Sequence, residues 1–543
     1  MRPLRSIAAI TVIAALALTA LHAQSKEETS SVKVEASKTE TSKPEQFKPE
    51  QQQSKGSVSI GGKSIDYDAY AGTLIVHTRD WDDVPQNADP DPKNKAPEAS
   101  VFYVAYFKSD TKGAPRPVTF FYNGGPGSST VWLHMGAFGP KRVVTADDSH
   151  TPAAPYSVVN NDYSLLDATD LVFVDAPGTG FSRLTGKDKE KAFFGVDQDA
   201  WAFSDFIVQF LAKYGRWNSP KYLFGESYGT TRSAVLANLL ETERDVDFNG
   251  IILLSQILNF SLDSDSPDVN PGVDIAYQLN LPTYAAAAWY HHKLPESHPD
   301  LKALVAEVEH FAMNDYAVAL EAGASLPAEQ RRAIVEKLHQ YTGLPAAYIE
   351  KANLRINGGE FSKNLQDENG LTTGRLDTRF SGPTFDPLSK EASYDPQEAA
   401  ISSAYVSAFN DYVRKELKFG EGREYKPEIE NEAIRSWSFQ HRQPGMGFAF
   451  PGATNVMSDL ATAMKYNPQL KILLNAGYFD LATPFYEGVY EMQHLPIPAD
   501  LQKNIEYQFY ESGHMVYAHE ASLKAIHDNT AAFIVNSSSG KAK

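Results

Sequence analysis

The sequence predicts an α/β fold: a mostly parallel central sheet with helices on both faces, interrupted by a large, mainly helical insertion. Three observations carry this. Between residues 101 and 254, short apolar runs bounded by turn residues alternate with helical periodicity. From 258 to 445 that rhythm gives way to helical patterns without buried parallel strands. Sheet character then returns at Leu470-Lys471-Ile472-Leu473-Leu474-Asn475-Ala476. Apolar runs joined through helices belong to parallel sheets covered on both sides.

A chain of 543 residues has room for one large domain carrying an insertion, and 42% hydrophobic content with 11% aromatics supports a sizeable core. The net charge of −18, with no basic stripe, argues against nucleic acid as a partner. There is no cysteine, hence no disulfide and no lipid-bearing thiol. Met1-Arg2-Pro3-Leu4-Arg5 is basic, an apolar stretch follows to about Leu21, and Leu21-His22-Ala23-Gln24 resembles a cleavage site. Residues 1–23 therefore read as a signal peptide, too short for an ordinary membrane span. Export to the periplasm or beyond is expected, with no membrane span left after cleavage. Residues 24–56 are Lys, Glu, Ser, Thr and Gln with little to bury, and predict a disordered polar linker.

Order is expected from Ser57. Val58-Ser59-Ile60 and Lys63-Ser64-Ile65 flank Gly61-Gly62 as a hairpin, and residues 72–77 continue as a strand. Strands follow at 101–107, 118–122 and 171–175, then a helix over 197–214 with Ala200, Phe203, Ile207 and Phe210 on one face. The first part of the sheet domain is placed at 57–257 and the helical insertion at 258–445, with helices at 301–320, 327–342 and 399–417. The second part spans 446–535, with strands at 470–476 and 505–510 and a last helix from Tyr517. Residues 536–543 read as a tail.

Chemistry concentrates at three strand ends. Tyr222-Leu223-Phe224 runs into Gly225-Glu226-Ser227-Tyr228-Gly229, and a helix follows. Gly-x-Ser-x-Gly at a strand-to-helix turn is a nucleophile elbow, which leaves the serine hydroxyl at the top of a sheet. A serine needs an imidazole to take its proton, and the imidazole needs an acid to fix its tautomer. Asp480 and His514 each follow an apolar strand, in the order Ser, Asp, His of the α/β-hydrolase fold. His519 is a nearby rival for the base. Oxyanion donors are expected from the backbone of Tyr228 and of Gly125, in the loop Asn123-Gly124-Gly125-Pro126-Gly127. No Gly-Lys-Ser/Thr follows that loop, so it is not a P-loop. His291-His292, in a helical stretch, has no partners at metal-ligand spacing. No cofactor and no metal are expected.

Phe121-Tyr122-Asn123-Gly124-Gly125-Pro126-Gly127-Ser128-Ser129, the elbow, Asn475-Ala476-Gly477-Tyr478-Phe479-Asp480, Ser512-Gly513-His514-Met515-Val516 and Asp175-Ala176-Pro177-Gly178-Thr179-Gly180 together resemble the serine carboxypeptidase family. Leu281-Pro282-Thr283-Tyr284-Ala285 with Trp289-Tyr290-His291 is similar to its bacterial branch. The resemblance implies removal of single amino acids from peptides with a free C-terminus. It implies that Asn123, the Gly124 backbone and Glu226 bind the terminal carboxylate, and that Met515 faces the leaving residue, where plain packing is the alternative. A Glu can bind a carboxylate only by sharing a proton, so binding is expected to favour acidic pH. Family members carry a second Glu where this chain has Ala137, and Phe121, Ser128 and Thr483 also depart from the pattern. An esterase or acyltransferase using the same triad is the alternative activity, and a catalytically idle binding module the non-enzymatic one.

Overall fold

Ten strands form the central sheet of the computed structural model, which describes residues 47–81, 95–111, 116–429, 431–449 and 451–538. They are β1 Gln51–Ile60, β2 Lys63–His77, β3 Glu98–Lys108, β4 Val118–Tyr122, β5 Asp170–Val174, β6 Arg183–Thr185, β7 Lys221–Glu226, β8 Gly250–Leu254, β9 Lys471–Gly477 and β10 Ile505–Tyr510. Their order is β1-β2-β3-β5-β4-β7-β8-β9-β10, with β6 on β3. β1, β2, β3 and β5 pair antiparallel, and the run from β5 to β10 is parallel throughout. This is the sheet of the α/β-hydrolase fold.

The inner strands are apolar on both sides because both faces are covered. Phe120, Val172, Leu223 and Ile251 point into one cluster, which holds α1 (Val196–Lys213) and α2 (Tyr228–Glu243). Their neighbours Phe121, Phe173, Phe224 and Ile252 point into the opposite cluster, the period-2 alternation of a strand. Between β8 and β9 lie α3 (Ile275–Tyr290), several shorter helices and α4 (Pro396–Lys415). α3 packs with Leu304, Val308, Leu338 and Phe361 in an apolar cluster of its own. α4 and the last helix, α5 (Glu520–Ser538), cover the second face of the sheet.

Some expectations are corrected. The polar linker does not extend to residue 56: Gln51–Gly56 belong to β1, registered on Tyr67–Gly72. The hairpin arm is one fifteen-residue strand, β2, and its length supports a long partner. β1 is an edge strand whose first residues are exposed, so the backbone ladder rather than burial holds them. At the other end the helix runs past the expected tail boundary to Ser538. Ser537 and Ser538 there bond the Tyr222 hydroxyl, both at 2.8 Å. The helix expected over 301–320 is broken by a π-helical turn at Ala312–Tyr316. His291 and His292 fall just beyond the end of α3, and the His291 ring meets the Thr378 carbonyl. The signal peptide, the linker up to residue 46 and residues 539–543 lie outside the described residues.

Candidate active site

β7 ends at Glu226 and α2 begins at Tyr228, leaving Ser227 alone in the turn with φ 59° and ψ −131°. A non-glycine residue in that region is strained, and the surrounding backbone must hold it. The Ser227 N–H donates to the Leu254 carbonyl at the end of β8, at 2.9 Å. A Cβ on Gly225 would lie 2.2 Å from the Gly229 carbonyl oxygen, so strand and helix close on each other only through glycine. A Cβ on Gly124 would lie 2.4 Å from the Tyr228 nitrogen. The loop after β4 therefore rests directly on the first turn of α2, at the positive end of its dipole. Gly125 has φ 101°, and the loop closes with Ser128 N–H donating to the Gly124 carbonyl at 3.0 Å.

Asp480 and His514 stand on the loops after β9 and β10. His514 Nδ1 lies 2.9 Å from Asp480 Oδ2. Asp480 Oδ1 accepts from the N–H groups of Ala482 and Thr483, and Thr483 Oγ1 donates to Oδ2 at 2.8 Å. Asp480 is fully buried and His514 is 5% exposed. Burial presses the His514 pKa down, but the charge and hydrogen bond of Asp480, aided by Glu226, outweigh it and hold the value above that of an ordinary histidine. Ser255 Oγ donates to the His514 carbonyl at 2.7 Å, one residue beyond the carbonyl that holds Ser227. Asp480 and His514 are thus paired directly, while Ser227 and the His514 backbone are each tied to the end of β8, through Leu254 and Ser255. His519 bonds Ser522 and approaches Asp147, away from Asp480.

Glu226 is 3% exposed, immediately before Ser227. Burial pushes its pKa up to about 7, against lowering influences from His514, Tyr517 and Asn123. Asn123 Oδ1 accepts from the Leu133 N–H at 3.2 Å, which leaves the amide N–H groups to face Glu226. Met515 is buried in the apolar cluster that also contains Phe138, Tyr405 and Tyr517.

Sequence reasoning missed three supports. Arg232 on α2 is wholly buried, donates to Asp199 at 2.6 Å, and donates through a further N–H to the Asn123 carbonyl at 2.8 Å. A lone charge in the otherwise uncharged stretch Tyr228–Leu240 was the available signal, since a buried charge needs a partner. Segment 375–379, between β8 and β9, binds the loops that carry Asp480 and His514. Leu481 N–H donates to Arg375 C=O (3.0 Å), Thr378 N–H to Phe479 C=O (2.9 Å) and His514 N–H to Leu376 C=O (2.6 Å). Third, the Tyr517 hydroxyl donates to Glu226 Oε2 at 2.8 Å. Among the described residues no group of three or more His, Cys, Asp or Glu is disposed to hold a metal ion.

A buried carboxylate–imidazole pair, a strained serine and a helix start are the parts that acyl transfer uses. A family model described as serine carboxypeptidase matches residues 92–522. The chain is similar to the carboxypeptidase Y homolog of Arthroderma benhamiae, 31% identical over 154 residues, covering 28% of each chain. It is also similar to serine carboxypeptidase-like 33 of Arabidopsis thaliana, 30% identical over 154 residues, 27% of this chain and 30% of that one. The matched region spans less than a third of either relative. In fold it is similar to the crystal structure of Kex1(delta)p, a prohormone-processing carboxypeptidase from Saccharomyces cerevisiae. That match has a TM-score of 0.52 at 17% identity and covers 86% of this chain and 91% of that one. Because the family model takes in most of the chain, this protein belongs to the serine carboxypeptidase family.

Proposed function

We propose that the protein is a serine carboxypeptidase that releases C-terminal amino acids from peptides through an acyl-enzyme. In this reading Ser227 Oγ attacks the last peptide carbonyl while His514 Nε2 takes its proton, and Asp480 fixes the imidazole through Nδ1. The oxyanion is held by the N–H groups of Gly125 and Tyr228. Collapse breaks the C–N bond, His514 returns the proton to the departing amine, and water then cleaves the ester with His514 as base. Asn123, the Gly124 backbone and protonated Glu226 receive the terminal carboxylate, with Met515 toward the leaving residue. The observation that carries the reading is the Asp480–His514 pair at 2.9 Å beside the Ser227 elbow, with a buried Glu226 one residue from the nucleophile. The motif Leu281-Pro282-Thr283-Tyr284-Ala285 supports membership of the bacterial branch of the family, and the basic then apolar start of residues 1–23 supports export.

The test is mass spectrometry of a peptide incubated with the enzyme. A ladder shortened one residue at a time from the C-terminus is expected. It should vanish in Ser227→Ala, together with labelling by a fluorophosphonate. Internal cleavage, or a ladder that survives Ser227→Ala, would contradict the proposal.

A further inference from the structure

Glu226 is buried immediately before Ser227. A hydroxyl from another element meets its carboxyl. Tyr517 lies in the 3-10 turn Val516–Ala518, three residues beyond His514, and is 2% exposed. Its hydroxyl is 2.8 Å from Glu226 Oε2. Room for the ring is made at Gly136, where a Cβ would lie 2.8 Å from the Tyr517 ring and 2.5 Å from that of Tyr405. Tyr405 and Tyr517 line a cavity of about 230 Å³. The groups that act on Glu226 are His514 and Asp480 from the loops after β10 and β9, Asn123 from the loop after β4, and Tyr517. Tyr405 of α4 also feels the Glu226 charge.

We propose that Tyr517 is the positioning residue of the carboxylate clamp: its hydroxyl occupies Glu226 Oε2 and so directs the Glu226 proton, through Oε1, onto the C-terminal carboxylate of the peptide. This rests on the clamp reading given above. The carbonyl oxygen of a carboxylic acid is the better acceptor, so a phenol O–H held on Oε2 favours the proton on the other oxygen. The phenol does not compete for it. Burial and the Glu226 charge push the Tyr517 pKa well above that of an ordinary tyrosine, so it remains a neutral donor throughout the working range. The hydroxyl also favours the ionised form of Glu226 and opposes the effect of burial. One short segment thus carries both the base, His514, and the residue that orients the clamp, Tyr517.

Tyr517→Phe keeps the ring and removes the donor. The test is kcat/KM for one blocked dipeptide, as the free acid and as the C-terminal amide, between pH 5 and 9. The alkaline limb of the free-acid profile should move up by about one pH unit, as expected on losing a hydrogen bond to a charged group. Free-acid turnover below the limb should fall about 10-fold, with the amide changed less than about 2-fold. In a Glu226→Gln background the same substitution should have no further effect on the limb, which separates loss of clamp orientation from loss of folding. An unmoved limb, or equal losses on acid and amide, would overturn the role of Tyr517 while leaving the clamp in place. A wild-type enzyme that does not prefer the free acid would overturn the clamp itself, and with it this role.

Discussion

The Gly513 N–H donates to Asp377 Oδ2 at 3.1 Å, one residue before His514. Asp377 is in turn held by Arg379 at 2.6 Å. A Cβ on Gly513 would lie 2.4 Å from that of Asp377, so the glycine before the histidine is required by this approach. The span between β8 and β9 therefore holds the loop that carries His514. In Asp377→Asn the side chain cannot serve both Gly513 and Arg379 as an anion. The expected outcome is a kcat about 10- to 100-fold lower with KM little changed, since small misplacements of a base cost that much. Steady-state kinetics on acid and amide substrates check it, and both should lose equally.

Arg232 and Asp199 form an ion pair with no exposed side-chain surface. Arg232→Met leaves the Asp199 carboxylate buried and unpaired and should destabilise the protein by about 3–5 kcal/mol. Arg232→Met combined with Asp199→Leu should recover much of that loss, because apolar pairs often replace buried ion pairs without penalty. Neither variant retains the hydrogen bond to the Asn123 carbonyl, so both should show a raised KM for free-acid peptides. Denaturant titration and KM measurements read the two effects separately.

His441 lies between Asp197 on α1, at 2.6 Å, and Asp459, at 2.8 Å. Burial alone would lower its pKa, but hydrogen bonds and charge from both carboxylates raise it to about 9. The folded value exceeds the unfolded one, so the stabilisation is fully present below about pH 6.5 and is lost as pH rises through the folded value. It amounts to about 3 kcal/mol. The difference in unfolding free energy between wild type and His441→Gln should therefore be largest near pH 6 and shrink toward pH 9 and above. A constant difference over that range would contradict it.

The inner sheet was legible because its strands are continuous apolar runs, and the elbow because only glycines admit its close approaches. Asp480 could be found because it follows such a strand, and His514 because it follows the aromatic-rich edge strand β10. β1 was partly hidden because an edge strand that faces solvent leaves no apolar alternation at Gln51-Gln52-Gln53. The Asp377–Gly513 contact joins residues 136 apart and has no local signature. Tyr517 is visible in the sequence, but its aim at Glu226 depends on the 3-10 turn and on the space at Gly136.

The most direct measurement is the ratio of kcat/KM for a blocked dipeptide as free acid and as amide, followed across pH. His514 must be neutral for either substrate, so its titration cancels in the ratio. What remains is Glu226, whose pKa burial raises to about 7. In the proposed clamp it is protonated below that value and donates to the peptide carboxylate, and above it two negative charges would face each other. The predicted result is a preference for the free acid that falls as pH rises through about 7 and becomes flat in Glu226→Gln. Equal cleavage of acid and amide at every pH would contradict the carboxypeptidase account.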